Sequence, residues 1–148
     1  MEITTLEAEA QRLVLAAFTE ETALSLGLTL VELARAAALP VVINIRTADR
    51  TLFHAALPGA APNNDNWARR KSNVALLFHL PSLLVGAQMQ ASGRSLADHG
   101  LSPQDYADHG GAVPIRVQGV GVVAVATVSG LPSVEDHRLV VRALETLL

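Results

Sequence analysis

Two pairs of strand-like segments, separated by helical segments, constrain the fold of this 148-residue chain more than any other feature. Residues 41–46 and 51–57 are rich in β-branched and apolar side chains and flank a short turn, which is typical of a hairpin. Residues 114–118 and 120–128 form a second such pair. Hairpins joined by helical segments predict an antiparallel sheet flanked by helices, an α+β sandwich. The absence of a strict β–α–β alternation argues against a Rossmann-type sheet.

The first long helix is predicted to begin after Thr19 and to end before Pro40. Glu20 and Glu21 occupy its first turn, where the helix dipole favours acidic side chains. Apolar residues recur at steps of three and four, so the following residues are predicted to form one buried face: Leu24, Leu28, Val31, Ala34 and Ala38.

Four further helices are predicted at residues 4–10, 65–80, 82–89 and 133–148, with Pro81 interrupting the middle pair. The short apolar run 13–18 either closes the first helix or forms an edge strand. Residues 90–111 read as a loop with one turn of helix at 103–107. The last helix is predicted to be capped by Ser133 and Asp136 and to bury a stripe that contains Leu139, Val140, Ala143, Leu144 and Leu147.

The composition indicates one domain over residues 1–148 with an aliphatic core, because 50% of the residues are hydrophobic and only 3% are aromatic. A small domain this apolar carries more apolar surface than one subunit covers. We therefore expect a homo-oligomer.

Charge and residue usage exclude several classes of function. A net charge of −3 and a few scattered aromatic residues argue against nucleic-acid binding. Cysteine is absent, which excludes disulfide frameworks and thiolate chemistry. The N-terminal residues do not resemble a signal peptide, and the longest apolar run, 120–128, is far shorter than a membrane span. We expect a cytoplasmic protein with no membrane partner.

The first candidate site combines Trp67 and Lys71, the only tryptophan and the only lysine, with Arg70 at the entry to a helix. Trp67 and Lys71 are four residues apart and therefore share a helix face. A cationic group beside an indole suits a carboxylate or phosphate ligand. The alternative is an anchor in a subunit interface, where Trp and Arg are common.

The second candidate site is the segment from Tyr106 to Gly111, which contains a phenol, an acid and His109 before two glycines. Histidine serves as an acid, a base or a metal ligand near neutral pH, and Gly110 and Gly111 allow a ligand or another backbone to approach closely. The alternative is a structural loop in which His109 only packs against a helix end.

The third candidate site is the start of the last helix, where unpaired amides favour an anion. Asp136 and His137 lie in its first turns, and His137 is expected near His109 because both flank strands of one hairpin. Helix capping alone is the alternative explanation for this segment. No metal site is predicted from these residues.

Several blocks resemble one known family in the same order along nearly the whole chain. They are Asn-Asp-Asn-Trp-Ala-Arg-Arg-Lys at 64–71, Tyr-Ala-Asp-His-Gly-Gly-Ala-Val-Pro-Ile at 106–115, Ser-Gly-Leu-Pro-Ser-Val-Glu-Asp-His-Arg-Leu-Val-Val at 129–141, and the segment 53–59. The sequence resembles the UPF0303 group of the haem-degrading and haem-binding superfamily of the GlcG and HbpS type, formerly DUF336.

This resemblance implies a profilin-like α/β/α sandwich with a central five-stranded antiparallel sheet, in which residues 13–18 supply the fifth strand. It also implies dimers that build larger rings, and it makes haem a possible cofactor.

The resulting hypothesis is a homo-oligomeric protein that binds haem or another small anionic molecule at a pocket in a subunit interface. The candidate ligand-binding residues are Asn66, Trp67, Arg70, Lys71, Tyr106, His109, Gly110, Gly111, Asp136 and His137. One alternative is an enzyme on a small anion, with His109 as acid or base and Arg70 or Lys71 as the anion clamp. The other is an oligomeric scaffold that binds no small molecule.

Overall fold

The computed structural model describes all 148 residues as a five-stranded sheet with helices on both faces. The helices are α1 (Ile3–Arg12), α2 (Glu20–Ala36), α3 (Pro62–Phe78), α4 (Ser82–Ser92) and α5 (Ser133–Glu145). The strands are β1 (Val14–Leu15), β2 (Val42–Arg46), β3 (Thr51–Ala56), β4 (Ala112–Val117) and β5 (Gly121–Ser129). The α+β class and the profilin-like α/β/α arrangement are therefore confirmed.

The sheet has the strand order β1-β4-β5-β2-β3. Both predicted hairpins are present, and β2 and β5 pair antiparallel to join them. The prediction of a wholly antiparallel sheet was wrong at one edge, where β1 pairs parallel to β4. The reason is the connection: β1 leads through the helix α2 to β2, and such a crossover makes β1 and β2 run in the same direction. Because β2 and β4 both pair antiparallel to β5, β4 also runs in that direction, and β1 meets it in parallel.

The main core lies between the sheet and the pair α2 and α5, and it is aliphatic as the composition predicted. Leu26 and Leu30 from α2 pack there with Ile43 and Ile45 from β2 and Val140 from α5, and all five are fully buried. No Phe, Tyr or Trp is among the buried residues. The opposite face of the sheet is covered by α3, with a small apolar cluster of Ala75, Ala112 and Val125 between them.

The helix α2 is capped as predicted but buries a different face. The Thr22 amide donates to the Thr19 hydroxyl at 3.3 Å. Leu24 and Leu28, expected in the core, are 46% and 56% exposed. The face that meets the sheet contains Ala23, Leu26, Gly27 and Leu30, together with Ala34, which was predicted to be buried and is.

The apolar spacing of α2 did not identify its inner face because the helix has apolar residues on more than one side. Gly27 shows what decides the orientation. A Cβ atom at that position would overlap the ring of Phe53 on β3, so only glycine lets the helix lie this close to the strand.

The break between α3 and α4 falls where Pro81 predicted it. The chain leaves α3 at His79, which adopts a left-handed conformation with φ 58°, and α4 begins at Ser82. The single turn of helix in the following loop lies at Leu96–His99 rather than at residues 103–107.

No single helix is long and apolar enough to span a membrane. The helices α3 and α4 reach the necessary length and composition only when they are taken together, and that pair is bent by 74°.

Replacing Gly27 by Ala is expected to destabilise the protein. Alanine is favoured over glycine in a helix by about 1 kcal/mol, but overlap with a packed ring costs about 1–3 kcal/mol, so the steric term should dominate. Chemical denaturation measures the net loss. Ser25→Ala is the control, because Ser25 lies on the same helix and is exposed; it should be neutral or slightly stabilising. A higher unfolding midpoint for Gly27→Ala would contradict the assigned packing.

Candidate functional site

A cleft of about 300 Å³ opens where the start of α3, the loop before β4 and the start of α5 meet. Three separate parts of the sequence that carry candidate residues therefore converge in space. Its walls include Trp67, Lys71, His109, Ser129, Ser133 and Asp136.

The floor of the cleft contains a buried ion pair between Lys71 of α3 and Asp136 of α5. The two side chains are 4% and 2% exposed, and Lys71 Nζ lies 3.0 Å from Asp136 Oδ2. Lys71 also donates to the carbonyls of Gly110 and Val128 at 2.9 and 3.0 Å. All three ammonium N–H groups are thus used within the protein. The hypothesis that Lys71 clamps an anionic ligand is therefore not supported.

Asp136 is equally well satisfied, because its carboxylate accepts the amides of Gly130 at 3.3 Å and Leu131 at 3.0 Å. The predicted capping of α5 by Ser133 and Asp136 was wrong. The residue before the helix is Pro132, with no side-chain cap, and Asp136 instead holds the turn that leads into the helix. The reason is that Asp136 faces inward toward Lys71, where a buried carboxylate requires a cationic partner.

Burial disfavours the charged form of both partners. It lowers the pKa of Lys71 and raises the pKa of Asp136, while their mutual attraction and hydrogen bond oppose both shifts. The charges are therefore stable only as a pair, and loss of either partner leaves an uncompensated ion in the protein interior.

A stack of three side chains borders the cleft: Trp67 and His109 line the cleft itself, and Arg70 lines an adjoining hollow. The Arg70 guanidinium carbon lies 4.4 Å from the centre of the Trp67 ring, in cation–π geometry. His109 meets Trp67 edge-on, with ring centres 5.0 Å apart and planes inclined by 67°. Arg70 Nε donates to the Pro103 carbonyl at 2.9 Å, which fixes the stack against the loop. The predicted proximity of an indole and a cation is confirmed for Trp67 and Arg70.

His109 is exposed and its imidazole has no hydrogen-bond partner. It lines the cleft and also two neighbouring hollows of about 470 and 260 Å³, so it lies where all three meet.

Gly110 and Gly111 make the close approach that the sequence indicated, but their neighbour is the protein itself. Gly111 has φ 137°, and a Cβ atom there would overlap the Val128 carbonyl and lie 2.6 Å from Lys71 Nζ. Gly110 packs in the same way against the Ser133 carbonyl. The two glycines therefore bring the chain beside His109 close to the ion pair.

Six of the ten predicted ligand-binding residues do not line the cleft. Arg70, Gly110 and Gly111 adjoin it, whereas Asn66, Tyr106 and His137 make other contacts. Asn66 is exposed and accepts a hydrogen bond from Arg69 at 3.2 Å. Tyr106 packs on a small apolar cluster and lines one of the neighbouring hollows together with His109.

His137 is fully buried on another side of α5, where its Nε2 lies 2.6 Å from Glu9 Oε1 of α1 and its Nδ1 has no partner. A joint role with His109 is therefore not supported. No group of three or more His, Asp or Glu side chains is placed to hold a metal ion.

Sequence reasoning did not include Ser129 among the site residues. It ends β5 in the cleft, is 2% exposed, and its hydroxyl makes no hydrogen bond within the chain. The available signal was a polar residue at the end of an otherwise apolar strand, directly before a Gly-Leu-Pro turn.

The fold is that of an HbpS-like domain. The structure is similar to that of Ybr137w, with a TM-score of 0.89, 30% identity, and coverage of 99% of this chain and 87% of that chain. It is also similar to HbpS, with a TM-score of 0.71 and 24% identity over 88% of this chain and 89% of that chain. A PduOC–haem complex shares the fold, with a TM-score of 0.74 and 20% identity over 87% and 94% of the two chains.

The sequence comparison is more specific. The family described as haem degrading protein HbpS-like matches residues 18–145. A UPF0303 protein of Streptomyces coelicolor is 51% identical over 144 residues, which cover 97% of this chain and 91% of that protein. One from Paraburkholderia xenovorans is 46% identical over 138 residues, or 93% and 84% of the two chains. The chain therefore belongs to the UPF0303 group of the HbpS-like family, as its sequence blocks indicated.

Replacing Lys71 by Met is expected to lower the free energy of unfolding by about 3–5 kcal/mol, because it leaves the Asp136 carboxylate buried and unpaired. Asp136→Asn should lower the free energy of unfolding much less in the Lys71→Met background than in the parent protein, since it then removes the unpaired charge. Urea denaturation of the single and double variants measures this coupling. The control is Arg12→Met, which breaks an exposed ion pair with Glu145 and should cost less than about 1 kcal/mol. Equal losses for Lys71→Met and Arg12→Met would contradict the structural role of the buried pair.

Proposed function

We propose that this chain binds haem at the outer end of the cleft, where the imidazole of His109 would hold the iron. The observation that carries the proposal is the free, exposed imidazole of His109 held edge-on against Trp67, with Arg70 on the same indole. Membership of the HbpS-like family and the likeness to PduOC, which was crystallised as a haem complex, support it.

The residues at this position fit the chemical requirements of haem. Histidine is a common axial ligand of haem iron, and the indole provides a flat apolar wall. Arg70 uses only Nε in its hydrogen bond to Pro103, so its terminal N–H groups remain to pair with a propionate. Bound haem would supply the redox and oxygen chemistry that the side chains of this protein lack.

The size of the cleft indicates that one chain encloses only part of a porphyrin. About 300 Å³ is at the lower end of the range for small-molecule pockets. The two hollows that adjoin His109 extend the available surface on either side. A small anion is the alternative ligand, and with Lys71 fully engaged it would depend on Arg70, which lines the adjoining hollow together with His109.

Titration with hemin tests the proposal. The parent protein should shift the Soret band saturably, and His109→Ala should weaken binding at least tenfold or abolish the shift. His99→Ala is a matched control, because His99 is also exposed and meets an aromatic ring, Phe78, edge-on at 5.8 Å; it should bind as the parent does. Added imidazole should restore the band position in His109→Ala. The absence of a saturable shift in the parent, or equal binding by both variants, would overturn the haem proposal.

We also infer that the chain self-associates through α2. Leu24 and Leu28 are one helical turn apart and both exposed, with half-buried Val31 continuing the stripe. This is the face that the sequence predicted to be buried, and a second copy of the chain would bury it. A dimer, or a ring built from dimers, stays a prediction, as does a cytoplasmic location.

Leu28→Glu is expected to lower the assembly to a smaller species, because a charge would have to be buried in the interface. Sedimentation velocity measures the mass. Val120→Glu changes an equally apolar residue, 71% exposed in the β4–β5 turn, and should leave the assembly intact. A parent protein that sediments as a monomer at all concentrations would rule out this interface.

A further inference from the structure

A second cavity, of about 440 Å³, lies between α1, the break between α3 and α4, and the edge formed by β1 and β4. It shares no lining residue with the Trp67–His109 cleft. The volume is within the range of pockets that hold small organic molecules, about 300–1,000 Å³.

The cavity exists because of the way the chain leaves α3. His79 takes a left-handed conformation and Pro81 prevents the helix from continuing, so α4 departs at a bend of 74°. The space under this bend is only partly filled by α1. Its floor is apolar, because Leu13, Leu84 and Val113 are each at most 5% exposed and line it.

The rim of the cavity carries one cation without an acidic partner. Arg116 of β4 is half-buried and forms no salt bridge, and its one hydrogen bond runs from Nη2 to the His79 carbonyl at 3.0 Å. Its remaining N–H groups have no acceptor in the chain. The side chains of Gln11 and Gln88 on the rim also make no hydrogen bonds. Glu7, the only acid on the rim, is exposed, so solvent screens its charge.

An apolar floor beside an unpaired guanidinium matches one class of ligand. The guanidinium fork binds a carboxylate through two parallel hydrogen bonds, and the aliphatic floor removes an apolar body from water. We propose that this cavity binds an amphipathic carboxylic acid, with the carboxylate on Arg116 and the apolar body against Leu13, Leu84 and Val113. The site is independent of the proposed haem site.

The test uses dansylamino-undecanoic acid, a fluorescent amphipathic carboxylate, with the intact protein. We expect a saturable rise in dansyl emission that decanoate reverses and decanol, which has the chain without the charge, reverses at least tenfold less effectively. Arg116→Gln should weaken binding at least tenfold. Arg142→Gln removes an exposed arginine from α5 and should leave binding unchanged.

A second pair of variants tests the cavity without altering its charge. Ala10→Phe fills the space from α1, and Ala8→Phe adds the same ring to an exposed position on the same helix that does not line the cavity. Only Ala10→Phe should abolish probe binding. Hemin titration of Arg116→Gln should match the parent, which shows that the variant is folded and that the two sites are separate. Equal probe binding by the two phenylalanine variants, equal displacement by decanol and decanoate, or no saturable binding would overturn the proposal.

Discussion

The buried ion pair between Lys71 and Asp136 is the interaction on which the candidate site depends. It joins α3 to α5 across the end of β5, and its remaining hydrogen bonds reach the carbonyls of Gly110 and Val128 and the amides of Gly130 and Leu131. Because both groups lose solvation on burial, they are stable only when each satisfies the other. One pair of side chains therefore fixes the relative positions of every segment around the cleft.

The same arrangement distinguishes Lys71, a cation with a structural role, from the side chains that remain available to a ligand. All N–H groups of Lys71 are used in hydrogen bonds, whereas the terminal N–H groups of Arg70 beside Trp67 are not. The imidazole of His109 has no hydrogen-bond partner. The glycines next to His109 allow its loop to lie against β5 and the ion pair without strain from a side chain. The imidazole of His109 is thus unpaired and lies on a loop that packs against β5 and the ion pair. A ligand-binding site requires such rigid support.

The two cavities arise from different features of the chain. The Trp67–His109 cleft forms where three segments distant in sequence converge on the ion pair, and its walls are mainly polar. The second cavity results from a local event, the helix break at His79 and Pro81, and its floor is apolar. Their chemistry differs accordingly, since one offers an imidazole and an indole and the other offers a guanidinium above aliphatic side chains.

The sequence by itself determined the helices, the two hairpins and the break at Pro81, because these depend on local patterns of apolar, capping and helix-breaking residues. It also determined the family, because the blocks that resemble the family are contiguous in the chain and follow the same order. It also identified Trp67, Arg70 and His109 as candidates from their residue types and positions. Only the tertiary structure decided the parallel pairing of β1, the inner face of α2, the internal role of Lys71 and the separation of His137 from His109. Each of these depends on which surfaces meet in space. An apolar stripe or a charged side chain has the same local pattern whether it faces the core, a partner or a ligand, and only the packed fold distinguishes them.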